Sequence, residues 1–196
     1  TDFCSHEDMK KYQSMIGALQ WLVSLGRFDI QTAVMSMSRF RAEPRIGHLE
    51  RVKRIYGYLS SHEKGAIRVR TGIPDYSELP DVTYDWLYTV YGDVREYIPK
   101  DIPKPAGNKI ILTTYVDANL YQDYITDRAV TGILHLVNQT PVDWYSKRQA
   151  TVETATYGSK FVAARIATDQ IIDLRMTLRY LGVEVEKSTY MFGDNE

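Results

Sequence analysis

The run Lys109-Ile110-Ile111-Leu112-Thr113-Thr114-Tyr115-Val116-Asp117-Ala118-Asn119 constrains this chain more than any other stretch. Up to Val116 it is β-branched and apolar, without Gly or Pro, and it reads as a strand. It then stops on a carboxylate. An Asp at the end of an apolar run gains nothing in packing, because a buried charge needs a partner. A fold containing this strand has to bring a partner to Asp117.

The 196 residues allow one large domain or two small ones. A hydrophobic share of 44% is that of a globular protein, and no apolar run reaches membrane-spanning length. No secretory signal opens the sequence given, and a single cysteine, Cys4, cannot form an internal disulfide; both set the expectation of a reducing, intracellular location. The net charge of −1 hides an asymmetry. Residues 27–70 carry ten Lys/Arg against four Asp/Glu, and residues 71–107 carry three against seven. That pattern excludes a uniformly basic nucleic-acid binder and leaves room for a local phosphate-contacting face or a solvated helix surface.

Three helices are expected first. Tyr12, Met15, Ile16, Leu19, Leu22 and Val23 form one stripe over residues 7–25, with Gly26 as the stop. A second helix is expected from Asp29, a possible N-cap or first-turn acid, through Met37 and Phe40 to Glu43-Pro44. Met35 and Met37 read as core. A third carries Leu49, Val52, Ile55 and Leu59 on one side and Arg45, Arg51, Lys53 and Arg54 on the other. A short strand is expected over Ala66–Arg70. Five of the seven prolines then fall in 71–107, among acids and aromatics. This segment reads as a linker that packs on the body, with a short β piece from Tyr84 to Tyr91.

From Lys109 the pattern is strand, strand, strand, helix, strand. Ala129–Val137 and Val142–Lys147 follow the first strand with short polar connections, which predicts an antiparallel meander. A long helix is expected over Thr156–Leu181 with Phe161, Ala164, Thr168, Ile171, Leu174, Leu178 and Leu181 inward, ended by Gly182. The last strand, Ser188–Phe192, ends on Gly193-Asp194-Asn195. After a helical crossover it should lie parallel to the first strand and beside it. The architecture is thus α/β, a mixed sheet preceded by a small helical segment. Asp117 and Asp194 then meet at one sheet edge, where ligand sites of such sheets lie. Two carboxylates that close repel unless a cation sits between them, and oxygen ligands favour Mg2+ or Mn2+.

These residues carry a resemblance. Tyr115-Val116-Asp117-Ala118, Asp127-Arg128-Ala129-Val130-Thr131-Gly132, Trp144-Tyr145-Ser146-Lys147-Arg148-Gln149-Ala150-Thr151-Val152 and Gly193-Asp194-Asn195 resemble the RNase H domain of copia-type retrotransposon polyproteins. Tyr12 to Leu19, Arg27-Phe28-Asp29-Ile30, Ser38-Arg39-Phe40 and Lys53-Arg54-Ile55 resemble the end of the preceding reverse transcriptase. The resemblance implies an RNase H-like fold over 108–196, a thumb or connection segment over 1–70 and the linker over 71–107. It implies cleavage of RNA in an RNA–DNA hybrid by two metal ions held on four acids, with Asp117 first and Asp194 third. It also implies the remainder of the polyprotein as a partner, no membrane, and a setting in cytoplasm, virus-like particle or nucleus. The metal-binding Glu of the family falls on Lys160 and its acidic neighbour on Gly158, while the fourth acid is expected beyond Glu196. Lys160, one turn before Ala164, should point to the sheet edge and compete with the cations. The chain is therefore expected to be impaired as a nuclease.

Blander readings stand beside these. Asp117 and Asp194 also fit strand-end turns, and Asp127-Arg128 reads as a loop ion pair. Lys147, Arg148 and Gln149 are either a solvated strand end or phosphate contacts, with Arg51 and Arg54 as further basic candidates. Trp21 and Trp144 read as core. His6, His48, His62 and His135 lack metal spacing and receive no chemistry. Two rival functions remain: a non-catalytic module that holds a hybrid or braces the polymerase, and a protein-binding domain using 71–107.

Overall fold

The computed structural model describes residues 2–80, 88–90, 92, 96–123, 125–186 and 188–194. The helical unit comprises α1 (His6–Ser24), a 3-10 turn at Phe28–Ile30, α2 (Gln31–Ser38) and α3 (Ile46–Ser61). Ser5 caps α1 by accepting from the Asp8 amide at 3.1 Å. Tyr12, Ile16 and Leu19 face a core completed by Ile30, Val34, Met37, Leu49, Val52 and Ile55. The Tyr12 hydroxyl donates to the Met37 carbonyl at 2.6 Å, and burial pushes its pKa up to about 12.

Several local expectations need correction here. Trp21 is 65% exposed, because two residues past Leu19 a helix has turned to its far side. Asp29 does not cap α2. Its carboxylate pairs with Arg27 at 2.9 Å, and the helix proper begins at Gln31. The helix also ends at Ser38, before Phe40. Past it, the Arg41 carbonyl accepts from the Gln13 side chain, and Phe3 bridges to Arg45. Ala66–Arg70 form no strand. The Arg70 amide and carbonyl both bond the Thr140 hydroxyl, at 2.8 and 3.0 Å, in place of a ladder. The piece expected over Tyr84–Tyr91 lies outside the described residues apart from 88–90, which are not strand.

The expected first strand divides at Ile111. β1 (Ala106–Ile110) pairs in parallel with β5 (Val183–Val185), while β2 (Leu112–Asp123) enters the main sheet. Asn138, at φ 54 in the turn after β3, brackets the break: its amide donates to the Ile111 carbonyl, and its side chain accepts from the Ile111 amide. The main sheet runs β4 (Thr140–Arg148), β3 (Arg128–Val137), β2, β6 (Tyr190–Phe192). β2–β3–β4 is the antiparallel meander, and β6 is parallel to β2, as the crossover rule demands. The protein is mixed α/β with a mixed sheet.

α4 (Thr156–Tyr180) packs on β2 and β3 through Ser159, Ala163 and Ala167, whose small side chains allow close approach. The buried face is therefore displaced from the expected one, and Phe161 and Leu181 are 64% and 72% exposed. Between helix and sheet His135 is fully buried: Thr114 Oγ1 lies 2.8 Å from its Nδ1 and Gln170 Oε1 lies 3.1 Å from its Nε2.

Two contacts fix the helical unit against the other sheet face. Trp144 donates from Nε1 to the Val23 carbonyl at 3.1 Å and packs on Phe28. Arg39 reaches Asp123 at 2.5 Å. The expected core role of Trp144 is this half-buried junction. The segment before β1 also packs on the body. Tyr76 bonds Thr113 and lies against Tyr190 and Phe192, and Glu96 takes both Arg175 and Arg179 of α4. Among the described residues no helix is long and apolar enough to cross a membrane.

Candidate functional site

Asp117 does not end its strand. β2 continues to Asp123, and Asp117 stands mid-strand opposite Gly132 of β3. The end that matters belongs to β6. Its ladder with β2 stops at Phe192 opposite Tyr115, and Gly193 and Asp194 run on beside Val116 and Asp117. The two carboxylates come together as the parallel pairing predicts. Asp117 is exposed, and its Oδ1 accepts from the Ala118 amide at 2.6 Å.

Lys160, in the first turns of α4, reaches the same place. Its Nζ donates to Asp194 Oδ1 at 2.7 Å and to the Asp194 carbonyl at 3.4 Å. The hydrogen bond from the ammonium holds the Asp194 carboxyl below its ordinary pKa. Lys160, Asp117 and Asp194 line a small cleft of about 180 Å³ between α4 and the sheet edge. On the opposite face a larger cleft of about 590 Å³ opens between sheet and helical unit. Asp117, Gly132 and Ser146 line that cleft from the sheet, and Phe28, Gln31 and Thr32 line it from the helical side.

A divalent ion asks for a shell rich in oxygen. The donors here are two carboxylates, one already neutralised by an ammonium. Among the described residues no three His, Cys, Asp or Glu side chains converge. Glu153 folds over the first turn of α4, where its Oε2 lies 2.6 Å from the place of a Cβ on Gly158, but it joins no such cluster. The described residues therefore do not fit a two-metal centre.

The basic candidates separate. Lys147 is exposed on β4, and Arg51 and Arg54 are exposed on α3. Arg148 instead donates to Asp123 at 2.8 Å. Gln149 is a correction. At 3% exposed it cannot meet a nucleic acid, and its Nε2 donates to Thr131 Oγ1 at 3.0 Å and the Ser159 carbonyl at 2.8 Å. Through the Ser159 carbonyl it ties the end of β4 to the start of α4, next to Lys160 in sequence. Asp127 and Arg128 form no ion pair; Asp127 adopts φ 51 in the turn, and Arg128 Nε is buried without a partner.

Asp123 is the polar residue that sequence reasoning missed. It is buried and receives Arg39, Arg148, the Thr126 hydroxyl at 2.6 Å and the Ile125 amide at 3.1 Å. Burial pushes its pKa up, but the hydrogen bonds from Thr126, Arg148, Ile125 and Arg39 outweigh burial and hold it well below the carboxylate range. His135 was missed as well; its alternation with Thr131 and Ile133 on the buried face was the available signal.

No family model and no solved structure matches the chain. A transposon Ty5-1 protein of Saccharomyces cerevisiae is 33% identical over 106 residues, 54% of this chain and 31% of that protein. The Secreted RxLR effector protein 161 of Plasmopara viticola is 26% identical over 168 residues, 86% of this chain and 94% of the effector. The retrovirus-related Pol polyprotein from transposon TNT 1-94 of Nicotiana tabacum is 28% identical over 185 residues, 94% of this chain and 11% of the polyprotein. The chain thus spans about a third of the Ty5-1 protein and about a tenth of the polyprotein. Over nearly its whole length it is similar to a segment of retrotransposon Pol polyproteins.

Proposed function

We propose that this protein is the RNase H-like segment of a copia-type retrotransposon reverse transcriptase, joined to the helical end of the polymerase, and that it engages RNA–DNA hybrid with impaired hydrolysis. The meeting of Asp117 and Asp194 at the parallel β2–β6 junction supports the RNase H-like part. Similarity to Pol polyproteins supports the retroelement setting.

The observation that carries the impairment is the Lys160–Asp194 ion pair. In the family pattern position 160 carries a metal-binding Glu. Here an ammonium contacts Asp194 at 2.7 Å, which supplies the positive charge the carboxylates lack and opposes entry of Mg2+ or Mn2+. Exposed Lys147, Arg51 and Arg54 remain as phosphate contacts.

The test is cleavage of a labelled RNA–DNA hybrid in Mg2+ or Mn2+. The chain as given should cut weakly or not at all, and a carboxyl-terminally extended Lys160→Glu form should gain metal-dependent cutting. Robust cutting by the unaltered chain would overturn the impairment. The same ion pair also favours a second reading, a non-catalytic module bracing the polymerase. That reading gains if hybrid binding needs no metal and the Lys160→Glu form still does not cut.

A further inference from the structure

Gly132 occupies the centre of the main sheet, opposite Asp117 of β2 on one side and Ser146 of β4 on the other. A glycine inside a central strand weakens it, through backbone entropy and the lost side-chain packing. Two ordinary reasons can offset that loss, and neither applies here. Gly132 is not among the positive-φ residues, so any L-residue could adopt its backbone. A Cβ added to it would meet no atom within 4 Å, so no neighbour requires the gap. Some other glycines do have such reasons, while Gly17, Gly47 and Gly57, all on helices, share the open space. Gly26 sits at φ +116 with Ile67 Cδ1 at 3.1 Å from its Cβ position, and the Cβ position of Gly158 is filled by Glu153. The third reason for glycine in a strand is the close approach of a ligand.

The space above Gly132 is the 590 Å³ cleft, with Asp117 beside it. No described Lys or Arg lines this cleft, so a phosphate gains nothing inside it. Its rings, Tyr115 and Trp144 among them, and its hydroxyls, Ser146 and Thr32 among them, suit a group that is apolar on one side and hydroxyl-bearing on the other.

We propose that Gly132 is where one strand of a bound nucleic acid comes closest to the sheet, its missing side chain leaving room for a sugar or base edge next to Asp117. This rests on the nucleic-acid reading above and adds a residue that selects for access.

The experiment compares the full chain with Gly132→Val and Gly132→Ala, by thermal unfolding and by anisotropy of a fluorescein-labelled RNA–DNA hybrid at low salt. A β-branched residue in open space on a strand should leave the Tm unchanged or raise it. Hybrid affinity should fall about tenfold or more for Val and less for Ala, because the new side chain crowds the approach. Equal affinity of Gly132→Val and the unaltered chain would overturn the role of Gly132 while leaving the nucleic-acid reading intact. A marked drop in Tm would also overturn it, by showing that the fold itself demands glycine. An unaltered chain that binds no hybrid at low salt would remove the nucleic-acid reading and Gly132 with it.

Discussion

Asp117 and Asp123 share strand β2 and the same carboxylate, yet their surroundings are opposite. Asp123 is buried and saturated, with two guanidiniums, a hydroxyl and an amide on its oxygens. Asp117 is exposed, with its own neighbouring amide as hydrogen-bond donor and a second carboxylate alongside. A saturated carboxylate holds a structure together, because its energy is already committed to the fold. An undersaturated one keeps its interaction for something that arrives later. Asp123 ties Arg39 of the helical unit to Arg148 at the end of β4.

The largest effect expected from this contrast is that of Asp123→Ala. It leaves Arg39 and Arg148 facing a partly buried gap without their carboxylate. Allowing for their partial exposure, the loss should be about 3 kcal/mol. For a chain of this size that lowers the Tm by roughly 6–12 °C. Thermal unfolding checks it, and a change below about 0.5 kcal/mol, the usual range for surface sites, would erase the distinction between the two aspartates.

Gln149 tests whether the Asp117 end has a frame of its own. Gln149→Ala removes the donors to Thr131 Oγ1 and the Ser159 carbonyl, both buried. Leaving a buried acceptor unsatisfied costs about 1–3 kcal/mol. Urea unfolding should show this loss. If Gln149 also positions Lys160, the amides at the start of α4 should exchange faster than those near its end. Uniform exchange along α4 would reduce Gln149 to general packing.

Acid sharpens the contrast further. The bidentate hydrogen bonds from Arg179, aided by Arg175, hold Glu96 at a pKa of about 2. Asp123 is depressed as well. Each binds its proton more readily unfolded than folded, so its contribution is complete above the unfolded values near ~4 and is lost as pH falls through the folded ones. Stability should therefore drop between about pH 4 and pH 2, and Glu96→Gln, with its carboxylate partly exposed, should lessen that slope by about 1 kcal/mol or less. Unfolding midpoints across this window decide it, and an unchanged slope would show that Glu96 adds nothing to acid stability.

What the sequence revealed follows the physics of each signal. The meander, the parallel β6 and the meeting of Asp117 with Asp194 were legible, because period-two apolar runs, turn residues and crossover handedness act locally and strongly. Lys160 was singled out by the resemblance, which sets a Glu at its position, and its place one turn before Ala164 then pointed it to the sheet edge. The second half of β2 was not. Tyr121 takes φ 56, and the register with β3 shifts between Asn119 and Asp123, so alternation breaks just where the strand continues. Asp123 was hidden with it. Gln149 looked like the end of a basic run, because its partner is a carbonyl on a helix that only the tertiary fold brings near. The buried face of α4 was misjudged because the closest packing came from Ser159, Ala163 and Ala167, which carry little hydrophobic signal, and not from Phe161.

The smallest expected effect is the most discriminating. Asp117→Asn keeps the shape and the acceptor for the Ala118 amide, and removes one negative charge beside Asp194. No guanidinium loses a partner, unlike at Asp123. Stability should change by no more than about 0.5 kcal/mol, and in the favourable direction, since like charges that close oppose folding. The measurement is the unfolding midpoint at neutral pH in EDTA, which removes any bound cation from the comparison. A loss above about 1 kcal/mol would mean that Asp117 supports the fold as Asp123 does, and its exposed carboxylate would no longer mark a site. A neutral or positive change, together with altered hybrid binding, would separate the two aspartates on independent axes: one read by stability, the other by ligand.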